Sequence, residues 1–520
     1  MELIRKYFDL NQDKSLFRID ETTFTDLNFN EIYDAIDYTD SSIGQQYLYH
    51  LLRTIPRAGK IKPHEEWLSR YSEDAKLQQK ISQCFKKIND SDSYLIYPLI
   101  TKDYQPYTKM KVRLLRVLQF VPTLFLGLFL LTQSGWFLLG TFASFIVNLI
   151  IHLMSKNISF LYSGSVPRLY NMLLSAERLK AISLNQDIDP DITGSLEETN
   201  ALKKKAGSFR FFVKMESDLA AFVWAIAEMV KVFFLTEPIN LNSLFNSIKE
   251  KKEPLRRIYE YVGLIDSLQA IARFRKEIPY YCLPCFTEKE RALETNGIYH
   301  PLIKDCVPNS FTSKNDSFLI MGSNMSGKTT FIRTVGVNVI LAQTIHTCLA
   351  HSFTLMPLHP FSAISLNDNL LEGQSYYLRE VLRIKEVVEQ TKEGANIILL
   401  DELFKGTNTI ERIAGAKAVL SYLASNHENI ILAATHDIEL TALLDKEYTP
   451  VYFTENIQGG KLTFDYKLTY QHNTQKNAIK ILELYDFPPS LVEDALHTAN
   501  HFPPTIQSSP DMKGKQDNSN

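Results

Sequence analysis

The chain has 520 residues, of which 45% are apolar and 22% are charged, and 56 basic against 59 acidic side chains give a net charge of −3. This length predicts several domains, and this composition excludes a wholly disordered chain, a collagen and a polytopic membrane protein. The balanced charge argues against a small, strongly basic nucleic-acid module, although not against local basic patches.

Residues 1–108 are predicted to be mostly helical and to form the first part of an all-α core. Apolar side chains recur at helical spacing from Leu48 to Ile55, and Pro56 ends the run. The run therefore marks a core-facing helix.

The next segment, residues 109–158, is predicted to be a transmembrane hairpin. From Val117 through Ser155 there is no Asp, Glu, Lys or Arg, and a single helix of that length would measure roughly 58 Å, about twice a hydrocarbon core. Because Gln133-Ser134-Gly135 has turn chemistry, we expect two spans, Leu114–Thr132 and Trp136–Met154. A buried hairpin in a soluble core is the alternative.

The flanks of this hairpin predict its orientation. Basic residues precede it between Lys109 and Arg116, and Lys156 follows it. Positive charge on both sides places both termini on the cytoplasmic side of the inner (plasma) membrane, with residues 114–154 as the membrane contact.

Residues 159–286 are predicted to form the second part of the helical core, with its levers. The nearly apolar stretch Leu219–Leu235 carries Glu228 and Lys231 one turn apart, which predicts a core or interfacial helix rather than a third span. Two charge-dense stretches, at 203–205 and 249–257, are either solvated faces or contacts for a phosphate backbone.

From residue 287 to 500, short β-rich runs alternate with helical patterns, which predicts an α/β domain with a mainly parallel sheet. The tail at 501–520 is predicted to be disordered.

The first candidate functional motif of this α/β domain is a phosphate-binding loop. An apolar strand ending at Met321 runs into a G-x-x-x-x-G-K-[ST] pattern, followed by a helical pattern. Glycines let backbone N–H groups approach phosphate oxygens, and the helix N-terminus favours an anion. Lys328 is predicted to reach the phosphates of ATP, and the Thr329 hydroxyl to ligate Mg²⁺. The predicted ATP-binding residues are Gly322, Ser323, Asn324, Met325, Ser326, Gly327, Lys328, Thr329 and Thr330.

Two later strands end in side chains that suit the same chemistry. Asp401 follows a buried strand and is a predicted Mg²⁺ ligand, while the adjacent Glu402 is the predicted general base for water. A third apolar strand leads to His436, which either senses the γ-phosphate, places water or is a structural polar residue. The predicted catalytic residues are therefore Glu402, Lys328 and His436.

This ordered set of motifs resembles the ATPase domain of the MutS family. The loop and helix, GSNMSGKTTFIRTVGVNVILAQ, resemble the family's loop with Asn before Met and a helix ending in Ala-Gln. Further similar elements are the lead-in at 299–309, a Ser and Glu element at 373–380, Asp-Glu-Leu then Gly-Thr at 401–407, and Thr435-His436. The resemblance covers about residues 287–497, with a weaker match at 39–56 to the start of the family's helical core.

The resemblance implies an ABC-type P-loop ATPase that hydrolyses ATP with Mg²⁺ as a homodimer. Each ATP would be closed by the partner subunit, with Ser375 donating to the γ-phosphate in trans and with Thr407 and Asn408 at the dimer seam. Hydrolysis would then loosen the seam and move the helical arms.

The resemblance also implies DNA binding and a role in mismatch repair or DNA damage sensing. The chain opens almost directly with the helical core, so we expect a membrane-anchored variant without the family's mismatch-recognition domain, and Lys405 replaces an expected arginine. Two hypotheses remain open: a DNA-linked ATPase clamp tethered to the membrane, and a membrane-anchored mechanochemical ATPase with no DNA role.

Overall fold

The structure is a computed structural model. It describes residues 1–57, 64–102, 107–161, 164–182, 185, 188–208, 228–287, 291–314, 316–323, 325–364, 376–458, 461–471, 482 and 487–501. The tail predicted to be disordered lies outside these ranges, apart from residue 501.

Helices dominate both sides of the apolar hairpin, where the sequence predicted an all-α core. Before it come Glu2–Leu10, Glu21–Asp26, Phe29–Ile36, Ser42–Leu52, Glu65–Glu73, Ala75–Phe85 and Ile96–Thr101, with a 3-10 turn at Ser91–Leu95. After it come Ser165–Lys180, Ile192–Ser208, 228–234, Thr236–Glu250 and Lys252–Glu277. Two short strands, β1 (Leu16–Arg18) and β2 (Thr54–Pro56), form an antiparallel pair that the sequence did not predict.

A buried polar contact joins two helices of this core, Ser42–Leu52 and Lys252–Glu277. The Ser41 hydroxyl caps the first helix by accepting from the Gly44 N–H at 3.0 Å, and it donates to Asp266 on the second. A Cβ on Gly44 would lie 2.1 Å from Asp266 Oδ2, so glycine permits this close approach. Burial raises the pKa of Asp266 to about 7, against the hydrogen bonds that favour its ionised form.

The apolar hairpin consists of three helices, Lys109–Leu118, Val121–Thr132 and Gly135–Leu161. The turn lies where the sequence predicted it, with Gln133 in the left-handed conformation at φ 57°. The first predicted span contains a turn at 119–120, just before Pro122, whose ring nitrogen cannot donate to a preceding turn.

Two stretches of the hairpin are long enough and apolar enough to span a membrane. They are Lys109–Thr132 and Gly135–Met154, and only 11% of the most apolar window of each is buried. Large apolar side chains such as Leu131 and Trp136 are more than 80% exposed. The hairpin is therefore not enclosed by the part of the chain that the structure describes.

A six-stranded sheet forms the centre of the α/β region. Its strands are β6 (Ser317–Met321), β8 (His359–Ala363), β9 (Asn396–Asp401), β10 (Ile430–Thr435), β11 (Tyr448–Gln458) and β12 (Lys461–Thr469), in the spatial order β12-β11-β6-β10-β9-β8. All neighbours are parallel except β11 and β12. The carboxyl ends of β6, β9 and β10 thus meet at one edge, which is where ligands bind in such sheets.

A second, four-stranded sheet flanks the first and was not predicted. It contains β3 (Cys285–Phe286), β4 (Ala292–Ile298), β5 (Asn309–Lys314) and β7 (Ser352–Leu355) in the order β3-β7-β4-β5. The remaining helices are Lys328–Thr344, Tyr376–Gln390, Thr409–Ala424, Glu439–Leu443 and Pro489–His501.

The helix Lys328–Thr344 connects the sheet to the helical core. A Cβ on Gly336 would lie 2.5 Å from Leu399 of β9 and 2.9 Å from Leu27 of the core, so the helix passes between the two with no space for a side chain. Arg333 of the same helix donates to the Asp26 carbonyl at 2.8 Å. The helix that follows the phosphate-binding loop therefore contacts the helical core directly.

Candidate active site

The loop at 322–327 connects β6 to the helix that begins at Lys328. Gly322 has φ 148° and Gly327 has φ 102°, conformations that favour glycine. A Cβ on Gly322 would also lie 2.7 Å from the Phe453 carbonyl oxygen. The strand–loop–helix geometry therefore follows the pattern that the sequence predicted, and it presents a helix N-terminus that favours an anion.

Lys328 is almost completely buried at the base of this loop, with 2% of its side chain exposed. Its ammonium donates to the carbonyl oxygens of Gly322 at 2.6 Å and Ser323 at 3.0 Å. Burial lowers the pKa of Lys328, while the nearby carboxylates of Glu402 and Asp401 oppose that shift. A phosphate at the loop would compete with two carbonyls for a cation already held in place.

The two predicted Mg²⁺ ligands lie in contact. Thr329 Oγ1 donates to Asp401 Oδ2 at 2.7 Å. Two neighbouring ligands of an octahedral Mg²⁺ lie about 2.9 Å apart when its bonds are about 2.0–2.1 Å. The hydroxyl and the carboxylate therefore fit two adjacent positions around the ion, although 72 residues separate them.

Glu402 lies among three basic side chains. Its carboxylate is 3.2 Å from Lys405 Nζ, 3.4 Å from His436 Nδ1 and 3.9 Å from Lys328 Nζ. Burial alone would raise the pKa of Glu402, but these neighbours outweigh it and lower the pKa. The carboxylate is therefore ionised at neutral pH, as a proton acceptor must be.

The backbone aims Glu402 into the site. Its φ is 52°, in the left-handed region, and its N–H donates to the Ala434 carbonyl of β10 at 2.9 Å. A non-glycine residue in this conformation stores strain, which is common at functional sites.

His436 lies at the end of β10 and is half exposed. The next residue, Asp437, is fixed by Arg412, whose guanidinium donates to it at 2.9 and 2.6 Å. The structure thus brings together the three predicted catalytic residues, Glu402, Lys328 and His436.

The other predicted loop residues have local contacts. Ser323 donates to Glu455 at 2.8 Å, Ser326 donates to the Ser323 carbonyl at 2.7 Å, and Met325 is 70% exposed. Thr330 lines an adjacent cavity. Asn324 lies outside the described residues.

The predicted trans-acting residues are only partly described. Ser375 lies outside the described residues. Asn408 caps the helix Thr409–Ala424 by accepting from the Glu411 N–H at 3.0 Å, and the Thr407 hydroxyl donates to the Glu411 carboxylate at 2.7 Å. Thr407 and Asn408 thus order the turn between β9 and this helix, and their place at a dimer seam stays a prediction.

A cavity of about 370 Å³ beside the loop was not predicted. Apolar and polar side chains both line it, and they include Ile298, Phe331, Phe453, Lys304 and Asp305. A cavity with both apolar and polar walls next to a phosphate-binding loop suits the base and ribose of a nucleotide. The aromatic residues within β11 and β12, Phe453 and Tyr466, were the available sequence signal.

Glu380 is a further feature of the site to which the sequence motifs gave no role. It is buried, and its Oε1 accepts from the Phe404 N–H at 2.5 Å. Burial raises the pKa of Glu380 against this hydrogen bond. Glu380 therefore positions the turn that carries Lys405 to Glu402.

The two charge-dense stretches are largely neutralised within the chain. Lys203 contacts Glu177, and Lys251 lies 3.0 Å from Glu198. Arg257 lies 2.9 Å from Asp191. These pairs favour a solvated, self-paired face over a phosphate contact at the same side chains.

Comparisons with known proteins agree with the position of this site. Residues 318–503 match the family model described as MutS domain V. The chain is 29% identical over 267 residues to the DNA mismatch repair protein MutS of Staphylococcus epidermidis, 29% over 261 residues to that of Oceanobacillus iheyensis, and 28% over 271 residues to that of Staphylococcus aureus strain JH9. These alignments cover 48–50% of this chain and 30–31% of the relatives, so the chain matches less than a third of their length.

Proposed function

The chain belongs to the MutS family, and from that premise we propose that it binds ATP with Mg²⁺ at the loop 322–329 and hydrolyses it to ADP and phosphate. The observation that carries the proposal is the 2.7 Å contact between Thr329 and Asp401. It places a hydroxyl and a carboxylate from separate elements close enough to bind one Mg²⁺ ion, beside a buried lysine.

The residues around Glu402 suit it to accept the proton of the attacking water during ATP hydrolysis. A water attacks the γ-phosphorus, the bond from that phosphorus to the β–γ bridging oxygen breaks, and Glu402 accepts the proton of the water. Lys328 neutralises charge on the phosphate oxygens, and His436, 3.4 Å from Glu402, helps to orient the carboxylate. Mg²⁺, when bound by Thr329 and Asp401, would neutralise further phosphate charge.

We propose further that two chains pair through their ATPase regions, with Ser375, Thr407 and Asn408 of each facing the nucleotide of the other. ATP would then stabilise the pair, and its hydrolysis would weaken it. Analytical ultracentrifugation of the detergent-extracted protein tests this: the dimer fraction should rise with Mg·ATP and most strongly in a Glu402→Gln variant. A monomer under all conditions would refute the pairing.

The first candidate for the output of this cycle is DNA, because the relatives are named as DNA mismatch repair proteins. ATP turnover measured with and without duplex DNA, at low and moderate salt, tests it. Stimulation that falls steeply with salt supports a DNA-linked clamp. Turnover that does not respond to DNA, with no DNA retained, would refute it.

The second candidate is a membrane-anchored mechanochemical ATPase, and the exposed apolar hairpin favours it. Two stretches have the length and hydropathy of spans and are largely uncovered by the described chain. We propose that residues 114–154 insert into the inner (plasma) membrane with both termini cytoplasmic. Fractionation followed by a carbonate wash should leave the protein in the pellet, and a fully soluble chain would refute the anchor.

A further inference from the structure

A buried cluster of one histidine and two glutamates lies where the apolar hairpin meets the helical core. His152 is on the hairpin helix Gly135–Leu161, Glu228 is on the helix 228–234, and Glu237 is on Thr236–Glu250. His152 Nε2 is 3.0 Å from Glu228 Oε1 and 3.6 Å from Glu237 Oε2. Three separate helices thus bring one nitrogen and two oxygen ligands within 4.8 Å of one another.

The cluster is shielded from water. The side chains of His152 and Glu237 are 1% and 6% exposed, and that of Glu228 is 14% exposed. Lys231 Nζ lies 3.2 Å from Glu228 Oε2, while Glu228 Oε1 faces His152 Nε2. Two carboxylates this close and this buried repel each other unless a cation lies between them.

Two buried polar atoms of the cluster residues are unsatisfied within the described structure. Among the described residues, Glu237 Oε2 has no hydrogen-bond partner, and neither has His152 Nδ1. A buried carboxylate oxygen without a partner costs free energy, and this one lies beside His152 Nε2. The unsatisfied oxygen of Glu237 is an observation separate from the closeness of the three side chains, and it indicates a binding site for a cation.

The distances suit a metal ion. A tetrahedral ion with bonds of about 2.0–2.1 Å has ligand atoms about 3.3–3.4 Å apart. The two measured separations from His152, 3.0 and 3.6 Å, lie on either side of that value. An imidazole with two carboxylates favours a first-row divalent transition metal over Mg²⁺ or Ca²⁺, which prefer oxygen alone.

We propose that His152, Glu228 and Glu237 bind a divalent transition-metal ion such as Zn²⁺. The bound ion links the apolar hairpin to the helical core. Asn148, one turn before His152, supports the same junction by donating to the Phe233 carbonyl at 3.0 Å. The ion would bind the lone pair of His152 Nε2 and neutralise the two carboxylates. The site is separate from the nucleotide loop and does not depend on ATP.

Equilibrium dialysis of the full chain in detergent, after chelation and without nucleotide, tests the site with Zn²⁺ alone as the probe. We expect one Zn²⁺ per chain and a rise in the thermal midpoint on binding. His152→Ala and Glu237→Gln should each weaken that binding by at least about tenfold and abolish the rise. Glu237→Gln keeps the shape of the side chain, so it remains informative if His152→Ala does not fold.

Matched controls are available on the surface. His427→Ala and Glu198→Gln change an exposed histidine and an exposed glutamate away from the cluster, and both should bind Zn²⁺ as the wild type does. A wild type that binds no Zn²⁺ would overturn the proposal. So would Glu237→Gln and His152→Ala variants with unchanged binding, because the metal would then sit elsewhere.

Discussion

Replacing Glu402 by glutamine removes the proposed base and preserves its shape. The carboxylate lies within 3.9 Å of Lys405, His436 and Lys328. These basic neighbours outweigh the effect of burial and lower the pKa of Glu402, so the wild type is ionised at neutral pH. The Glu402→Gln variant therefore loses the whole contribution of the general base to the rate of ATP hydrolysis. We expect ATP turnover to fall by about 10²–10⁴-fold, an increase of about 3–5 kcal/mol in the barrier.

ATP binding should survive the same change, because Lys328, Thr329 and Asp401 keep their contacts. Phosphate release measures turnover, and equilibrium titration with a fluorescent ATP analogue measures binding. Glu389→Gln is the matched control, since Glu389 is exposed and only forms a surface pair with Lys385. Unchanged turnover in Glu402→Gln, or loss of ATP binding together with turnover, would refute the assigned role.

Three further changes test other parts of the structure. Thr329→Val removes the hydroxyl that contacts Asp401, and it should weaken ATP binding in the presence of Mg²⁺ but not in its absence. Gly44→Ala places a Cβ 2.1 Å from Asp266 Oδ2 and should cost about 1–3 kcal/mol of stability. The pKa of Asp266 is raised from 3.8 to about 7 in the folded chain, so protonated Asp266 stabilises the fold fully below pH 3.8 and this stabilisation is lost as the pH rises through 7. Asp266→Asn should therefore flatten the pH dependence of stability.

Each of these changes has its own measurement and control. Titration with and without Mg²⁺ checks Thr329→Val, and an equal loss in both conditions would contradict the ligand role. Thermal midpoints check Gly44→Ala against Gly194→Ala, whose Cβ meets nothing within 4 Å. Midpoints at about pH 5 and about pH 8 check Asp266→Asn against the exposed Asp9→Asn, and parallel profiles for wild type and Asp266→Asn would contradict the buried titration.

Local chemistry explains what the sequence predicted well. The two glycines at 322 and 327 require special backbone angles, and the apolar runs before Gly322 and Asp401 have the composition of buried parallel strands. Because parallel strands end at one edge, the pattern was sufficient to expect Thr329 near Asp401. The main sheet and the position of the predicted catalytic side chains follow from the same argument.

Long-range contacts explain what the sequence did not predict. Lys405 was noted only as a replacement for arginine, yet the turn held by Glu380 brings it to Glu402. His152 is a polar residue in an apolar helix, and the sequence could not relate it to Glu237, which follows it by 85 positions with no shared periodicity. Strands β3 and β7 of the second sheet have only two and four residues, and such short strands carry little alternation to detect.

Binding of Mg·ATP by the purified chain tests the central claim most directly. Isothermal titration in detergent should give one ATP per chain for the wild type, no detectable binding for Lys328→Ala, and unchanged binding for Lys385→Ala, which removes an exposed lysine of the same domain. A wild type that retains no Mg·ATP, or a Lys328→Ala variant that binds it equally well, would contradict the account.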